Sequence, residues 1–199
     1  MKVLIACEFS GIVRDAFAKR EHDAWSCDLL PTERPGPHIR GDIFDVLERT
    51  GNWDLLVFHW PCTYLTRAGA GWLYNRPKKP NPNILYLEPR RQAMIEHAHL
   101  FRKLLDCEIP KVCGENPRPY KDALKIMGPF SQVIQPWQYG HGEVKATCLW
   151  LRGLPLLVPT NIVEGRSDRC HRESPGPDRW KNRSRTYEGV ARAMAEQWG

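Results

Sequence analysis

No stretch of the 199-residue chain approaches the roughly 18 consecutive apolar residues that a membrane-spanning helix requires. The start, MKVLIACEFSGIV, is broken by Glu8 and Gly11, so it reads as a first strand and not as a signal peptide. A disulfide scaffold is also missing. The seven cysteines, at 7, 27, 62, 107, 113, 148 and 170, are odd in number and scattered, which suits free thiols in a reducing cytoplasm. There is no C-x-x-C or H-x-x-x-H pair, so Cys170–His171 and His97-x-His99 read as structural residues and no metal site is expected. Internal repeats are absent. The Pro- and Gly-rich loops PTERPGPHIRG, RPKKPNPN and RESPGPD are too short to link domains, and the length fits one domain over 1–199.

What is present is an ordinary globular composition, 42% hydrophobic and 26% charged. The formal charge of +6 and the isoelectric point near 9.0 favour an anionic partner such as nucleic acid. The excess is concentrated late: from Arg166 to Arg192, eight Arg and Lys stand against four Asp and Glu. That segment reads as a phosphate-facing surface or, equally, as a solvated basic face.

Along the chain, KVLIAC at 2–7 is a short apolar run followed by a glycine turn and the helical pattern GIVRDAFAKR. DAWSCDLL at 23–30 and WDLLVFHW at 53–60 read as further strands, and KVCGEN at 111–116 follows a helix expected over 88–106. Alternation of this kind predicts a mostly parallel sheet covered on both faces. SQVIQPWQYG at 131–140 and KATCLWLRG at 145–153 have no helix between them and predict an antiparallel pair at one sheet edge. TYEGVARAMAEQWG at 186–199 has helical spacing and predicts a closing helix.

In such a sheet, ligands lie beyond the carboxyl ends of the strands, and the chemically distinctive residues of this chain fall there. The first strand ends in Glu8-Phe9-Ser10-Gly11, the second in Asp28, and the next segment in Gly41-Asp42-Ile43. The following strands end in Pro61-Cys62 and Glu115-Asn116-Pro117. GIVRDA is not a full G-x-G-x-x-G, but the spacing from Gly11 to Asp28 is that of a cofactor loop and a ribose-binding acid.

Taken together, FSGIV at 9–13, Asp28, Asp42, WPCTYLT at 60–66, ENP at 115–117, QYGHGEVKATCLWL at 138–151 and TYEGVARAMAEQW at 186–198 resemble the cytosine carbon-5 DNA methyltransferase family, in its short phage- and prophage-type form. The resemblance implies a Rossmann-like, doubly wound α/β fold with an antiparallel edge hairpin, and S-adenosylmethionine as cofactor. It implies that Phe9, Ser10, Gly11, Ile12, Asp28, Asp42, Ile43 and Pro61 hold that cofactor. Cys62 would be the nucleophile, Glu115 its acidic partner with a raised pKa, Asn116 the residue that holds the loop, and Pro61 the rigid neighbour of the thiol. Lys145, Arg183 and Arg185 would meet DNA, duplex or single-stranded, and a cytosine in a duplex would have to be flipped out. Trp60 and Trp72 are the tryptophans expected near a base or cofactor.

The sequence departs from the family where Val13 replaces a glycine, where His59-Trp60 replaces a second proline before Pro61, and where Pro117 replaces a valine. The paired arginines of the Gln-x-Arg-x-Arg element are reduced to His141 and Lys145, and only the basic loop region 153–187 stands in place of a target-recognition domain. So short a loop suits low sequence specificity, a protein partner that supplies it, or a substrate smaller than DNA such as a free pyrimidine nucleotide. A modified methyl donor, or a non-catalytic role binding nucleic acid or a host protein, are the alternatives.

Overall fold

The apolar runs that end each helical segment carry no polar face, which is the pattern of strands packed on both sides. In the computed structural model, whose described residues are 1–66 and 87–199, they form one seven-stranded sheet. The expected RPKKPNPN loop and Trp72 lie outside the described residues. The strands are β1 (Lys2–Ala6), β2 (Asp23–Asp28), β3 (His38–Arg40), β4 (Leu55–His59), β5 (Lys111–Pro117), β6 (Gln132–Ile134) and β7 (Thr147–Arg152). Their order is β3-β2-β1-β4-β5-β7-β6. β1 to β5 are mutually parallel, and β7 enters antiparallel between β5 and β6. This is a Rossmann-like, doubly wound sheet with an antiparallel edge, as the alternation predicts.

Alternate residues feed opposite faces, as a period of two demands. Leu4, Ala6, Leu56, Phe58 and Val112 pack against α2 (Ile43–Arg49), α3 (Leu87–Leu105) and α4 (Lys121–Met127) through Val46, Ala98, Phe101 and Met127. Val3, Ile5, Leu55, Val57 and Cys113 pack against α1 (Ile12–Ala18) and α6 (Glu188–Trp198) through Phe17, Ala191, Met194 and Trp198. The point where strand order reverses lies between β1 and β4, so the carboxyl ends of β1, β2, β4 and β5 surround one crevice.

Three features depart from the sequence reading. The PTERPGPHIRG loop contains β3, because its HIR segment pairs in register with Ser26–Asp28 of β2. The basic stretch expected as a loop over 153–187 contains a short helix, α5 (Arg179–Ser184), started after Asp178. Phe9 and Trp180 meet at 5.7 Å between ring centroids, seating α5 over the first loop. Finally, α2 and α4 were not anticipated; α2 is started by Asp42, whose carboxylate accepts the Phe44 amide at 2.8 Å.

Gly114 shows how closely the helical layer meets the site-bearing strand. A Cβ there would lie 2.6 Å from Cζ of Phe58 and 2.8 Å from Cζ of Phe101, two rings already in edge contact at 4.9 Å. Gly114→Ala is expected to destabilise the fold by about 1–3 kcal/mol through overpacking. Urea unfolding should show a lower midpoint with an unchanged slope; an unchanged midpoint would contradict this packing.

Candidate active site

β4 and β5 run parallel with His59 opposite Glu115, so both side chains leave the sheet on the same face at its carboxyl end. There His59 Nδ1 lies 3.3 Å from Glu115 Oε2, and both side chains are largely buried, at 10% and 18% exposure. Burial alone would draw the imidazole below its usual value. The hydrogen bond and charge of Glu115, with the charge of Glu8, outweigh it and hold His59 above that value, against the pull of Lys145. Burial likewise pushes Glu115 up, but His59, Lys145 and the Thr147 hydroxyl bring it below the ordinary carboxylate range. The direction is thus opposite to the raised Glu115 expected from the resemblance: its histidine partner holds the carboxyl below the ordinary range.

After β4 the chain turns through Pro61 and Cys62, with the Leu65 and Thr66 amides both donating to the Cys62 carbonyl at 3.2 Å. Two ties fasten this turn to the end of β5. Asn116 is fully buried and its Nδ2 donates to the Trp60 carbonyl at 2.7 Å, while the Tyr120 amide donates to the Leu65 carbonyl at 2.7 Å. Losing the first would leave a buried carbonyl unmet, at a cost of about 1–3 kcal/mol. Asn116 thus ties the cysteine loop to β5.

Cys62 and Glu115 line one cavity of about 110 Å³. Its other walls include Glu8, Phe9, Ser10, His59 and Pro61, and its far side is formed by Lys145, Arg183 and Arg185. Cys62 is exposed as a residue; burial first and then the Glu115 charge push its thiol up, and Lys145 and Arg183 pull it down. A second cavity of about 280 Å³ is lined by Asp28, Asp42, Ile43, Gly41, Leu29 and Leu100. Cys7, Trp60 and Pro61 line both, so the two spaces adjoin across the Pro61 turn.

The acids of the second cavity also do structural duty. Asp28 accepts the Leu30 amide at 2.9 Å and Asp42 caps α2. Burial raises Asp28, opposed by the Leu30 amide and by His38. Two carboxylates beside apolar walls from Ile43, Leu100 and Trp60 fit a nucleoside, with acids for the ribose hydroxyls and flat apolar surface for the base. The indole Nε1 of Trp60 is buried without a partner among the described residues.

The first loop is divided differently from the sequence reading. Phe9 and Ser10 face the Cys62 cavity, whereas Gly11 lines neither cavity and Ile12 lines a third, of about 410 Å³, on the far side of Arg183. The cause is Arg14, fully buried beneath the loop, with hydrogen bonds to Asp15, Ser26, Thr32 and the carbonyls of Arg34 and Pro35. A Cβ on Gly11 would lie 2.5 Å from its guanidinium, so this glycine makes room for an arginine as well as for a left-handed turn at φ 71°. Glu8, at the end of the first strand, accepts the Val13 and Arg14 amides at 2.7 and 3.2 Å and fixes the start of α1.

Of the three basic residues expected to meet DNA, Arg185 is already held by Glu33 at 2.9 and 2.6 Å, and Lys145 donates to the Arg185 carbonyl at 3.2 Å. Arg183 Nε is buried without a partner among the described residues. No helix among the described residues is long and apolar enough to cross a membrane.

No protein-family model matches the chain, and no curated protein matches it. Among solved structures it is similar to a prophage-encoded E. coli protein named "putative DNA modification methyltransferase", at 11% identity and a TM-score of 0.47. The match covers 87% of this chain and 55% of that one, so the chain spans about half that protein's length. A likeness of that extent decides nothing about chemistry.

The charges around Cys62 make its reactivity a direct gauge of the cavity. Glu115→Gln removes the charge that raises the thiol, so alkylation of Cys62 by iodoacetamide at fixed mildly alkaline pH is expected to speed up about three- to tenfold. Lys145→Gln is expected to slow it by a similar factor. Peptide-resolved mass spectrometry reads both, and identical rates in all three proteins would place the thiol outside this charge cluster.

Proposed function

We propose that the chain is a methyltransferase that acts on carbon 5 of cytosine in DNA, with Cys62 as nucleophile and S-adenosylmethionine as donor. The observation that supports this reading is the shared cavity of Cys62 and Glu115, which adjoins, across Pro61, a second cavity bearing Asp28 and Asp42. An acceptor base and a donor nucleoside would then lie on either side of one rigid turn. When bound, the cofactor supplies the methyl group that carbon 5 accepts. Asp28 and Asp42 would bind its ribose and adenosyl end, with Ile43 and Pro61 against it and Phe9 and Ser10 at its reactive end.

The residues of the chain do the rest. Carbon 5 of cytosine is too weak a nucleophile until a thiolate adds at carbon 6 and makes the ring enamine-like. Cys62 provides that sulfur. The addition is favoured by a proton at ring nitrogen 3, which the Glu115 carboxyl meets. Asn116 keeps the thiol loop against β5 through Trp60. Lys145 and Arg183 pull the Cys62 thiol down and would meet the phosphates of the nucleotide whose base is bound. In duplex DNA the base must leave the stack to enter so small a space.

Incubation of the protein and S-adenosylmethionine with DNA containing 5-fluorocytosine should leave a covalent adduct, because the fluorine cannot depart as the carbon-5 proton does. Cys62→Ser should leave none, and Asp28→Ala should weaken calorimetric binding of the cofactor at least about tenfold. Denaturing electrophoresis that finds no adduct on single- or double-stranded DNA, or on the free nucleotide, would sink the reading.

A further inference from the structure

The proton that nitrogen 3 must receive has no obvious source in Glu115 alone. The His59 imidazole lies against one of its oxygens at 3.3 Å and helps to hold the carboxyl below the ordinary carboxylate range. Glu8, the other buried carboxylate nearby, is engaged with the amides of Val13 and Arg14 and the hydroxyl of Ser10. The histidine is different. His59 lines the same cavity as Cys62 and Glu115, its Nδ1 faces the carboxylate, and its Nε2 is buried with no partner among the described residues. An imidazole with one nitrogen against a carboxylate and the other buried without a partner among the described residues is an arrangement for holding a proton and not for packing.

We propose that His59 holds the proton that Glu115 gives to the pyrimidine ring, so that the acid of the reaction is the His59–Glu115 pair and not the carboxyl alone. This rests on the Cys62 addition argued above and names its proton source. As the sulfur lone pair of the Cys62 thiolate bonds to carbon 6, the carbon 5–carbon 6 π pair moves to carbon 4–carbon 5 and the carbon 4–nitrogen 3 pair moves to nitrogen 3. Glu115 takes the Nδ1 proton of His59, which becomes neutral, and passes a proton on to nitrogen 3, so that Glu115 ends as a carboxylate again. The thiol proton of Cys62 has by then passed to solvent. Reversal returns each proton to its origin. His59 is thus a positioning residue that acts through Glu115 and need not touch the ring.

The groups that set its charge come from three elements: Glu115 on β5 and Glu8 after β1 favour the protonated ring, and Lys145 before β7 opposes it. His59 in turn lowers Asp28 after β2. The sign of the pH dependence follows. Cys62 is pushed above its ordinary value, so its thiolate fraction climbs with pH, while the protonated fraction of His59 falls. Their product stops rising once His59 loses its proton.

The test needs no cofactor, because reversible addition at carbon 6 lets carbon 5 exchange its hydrogen with water. The probe is deoxycytidine deuterated at carbon 5, supplied as the 5′-monophosphate and within a single-stranded oligonucleotide, with exchange read by mass spectrometry against pH. In the wild type the rate should level off above the usual histidine range. In His59→Gln it should be about 100-fold or more lower at neutral pH and should keep climbing until Cys62 ionises. In Glu115→Gln the levelling should disappear with the pair. A His59→Gln rate within about threefold of wild type, with the same levelling, would overturn the inference while leaving the Cys62 reading intact. No exchange by the wild type on either probe would overturn both. Nitrogen NMR of the unsubstituted protein gives a second reading that no folding defect can blur: the His59 ring should carry both protons at neutral pH, and an Nε2 or Nδ1 without its proton would also overturn the inference.

Discussion

The parallel register of β4 and β5 is the constraint from which the site follows. Because the two strands pair Leu55 with Lys111 at one end, they must bring His59 beside Glu115 at the other, on the face covered by α1 and α6. A one-residue slip would send the two side chains to opposite faces. Either group alone, buried to this depth, would surrender its charge to desolvation. Together they keep a near-neutral pair, and that pair governs its neighbours: Glu115 raises Cys62, His59 lowers Asp28, and Lys145 acts on all three of Cys62, His59 and Glu115. The two cavities are therefore one electrostatic unit as well as adjoining spaces.

What covers this unit is held by contacts of quite different strength. Arg185 with Glu33 and Arg34 with Glu188 join the β2–β3 loop to the end of the chain, but such partly exposed pairs contribute about 0–1 kcal/mol each. The apolar contact of Phe9 with Trp180, and the Lys145 bond to the Arg185 carbonyl, tie the same stretch to the site itself. The basic excess of residues 166–192 is thus partly matched by acids elsewhere in the chain. Arg169 pairs with Glu143 and Arg185 with Glu33, which leaves less positive charge for an external polyanion than the formal count suggests.

Much of the architecture was legible because strands buried on both faces write themselves as continuous apolar runs. β1, β2, β4 and β5, the helix α3, the antiparallel β6–β7 edge and the closing helix α6 all fall where those runs predict. β3 did not, since three residues at a sheet edge, set in a Pro- and Gly-rich loop, carry no periodicity. α2, α4 and α5, the first two of seven residues and the last of six, are too short to show an amphipathic repeat. Within the site, residues at strand ends were readable by position, which is why Cys62, Glu115, Asp28 and Asp42 were singled out. His59 was noted only as a departure from a proline, because nothing in one strand tells which residue of another lies beside it. Arg14 was invisible for a related reason: a buried arginine in an amphipathic helix looks like an exposed one until its five hydrogen-bond donors find the 32–35 loop.

His59 and Trp60 precede Pro61 without the fixed φ of about −65° that a further proline would give, so the chain before Cys62 needs another restraint. Here that restraint is supplied from outside the turn. Trp60 is 8% exposed, packed edge-on to Phe44 and near His97, and its carbonyl is taken by Asn116, the neighbour of Glu115 on β5. The same strand that pairs Glu115 with His59 thereby holds the backbone that carries Cys62. Geometry and charge at the thiol are then coupled, because any shift of β5 against β4 that weakened the His59–Glu115 contact would also loosen the Asn116 tie. A proline in place of His59 could stiffen the turn, but the carboxyl it left behind would lose the partner that holds it below the ordinary carboxylate range.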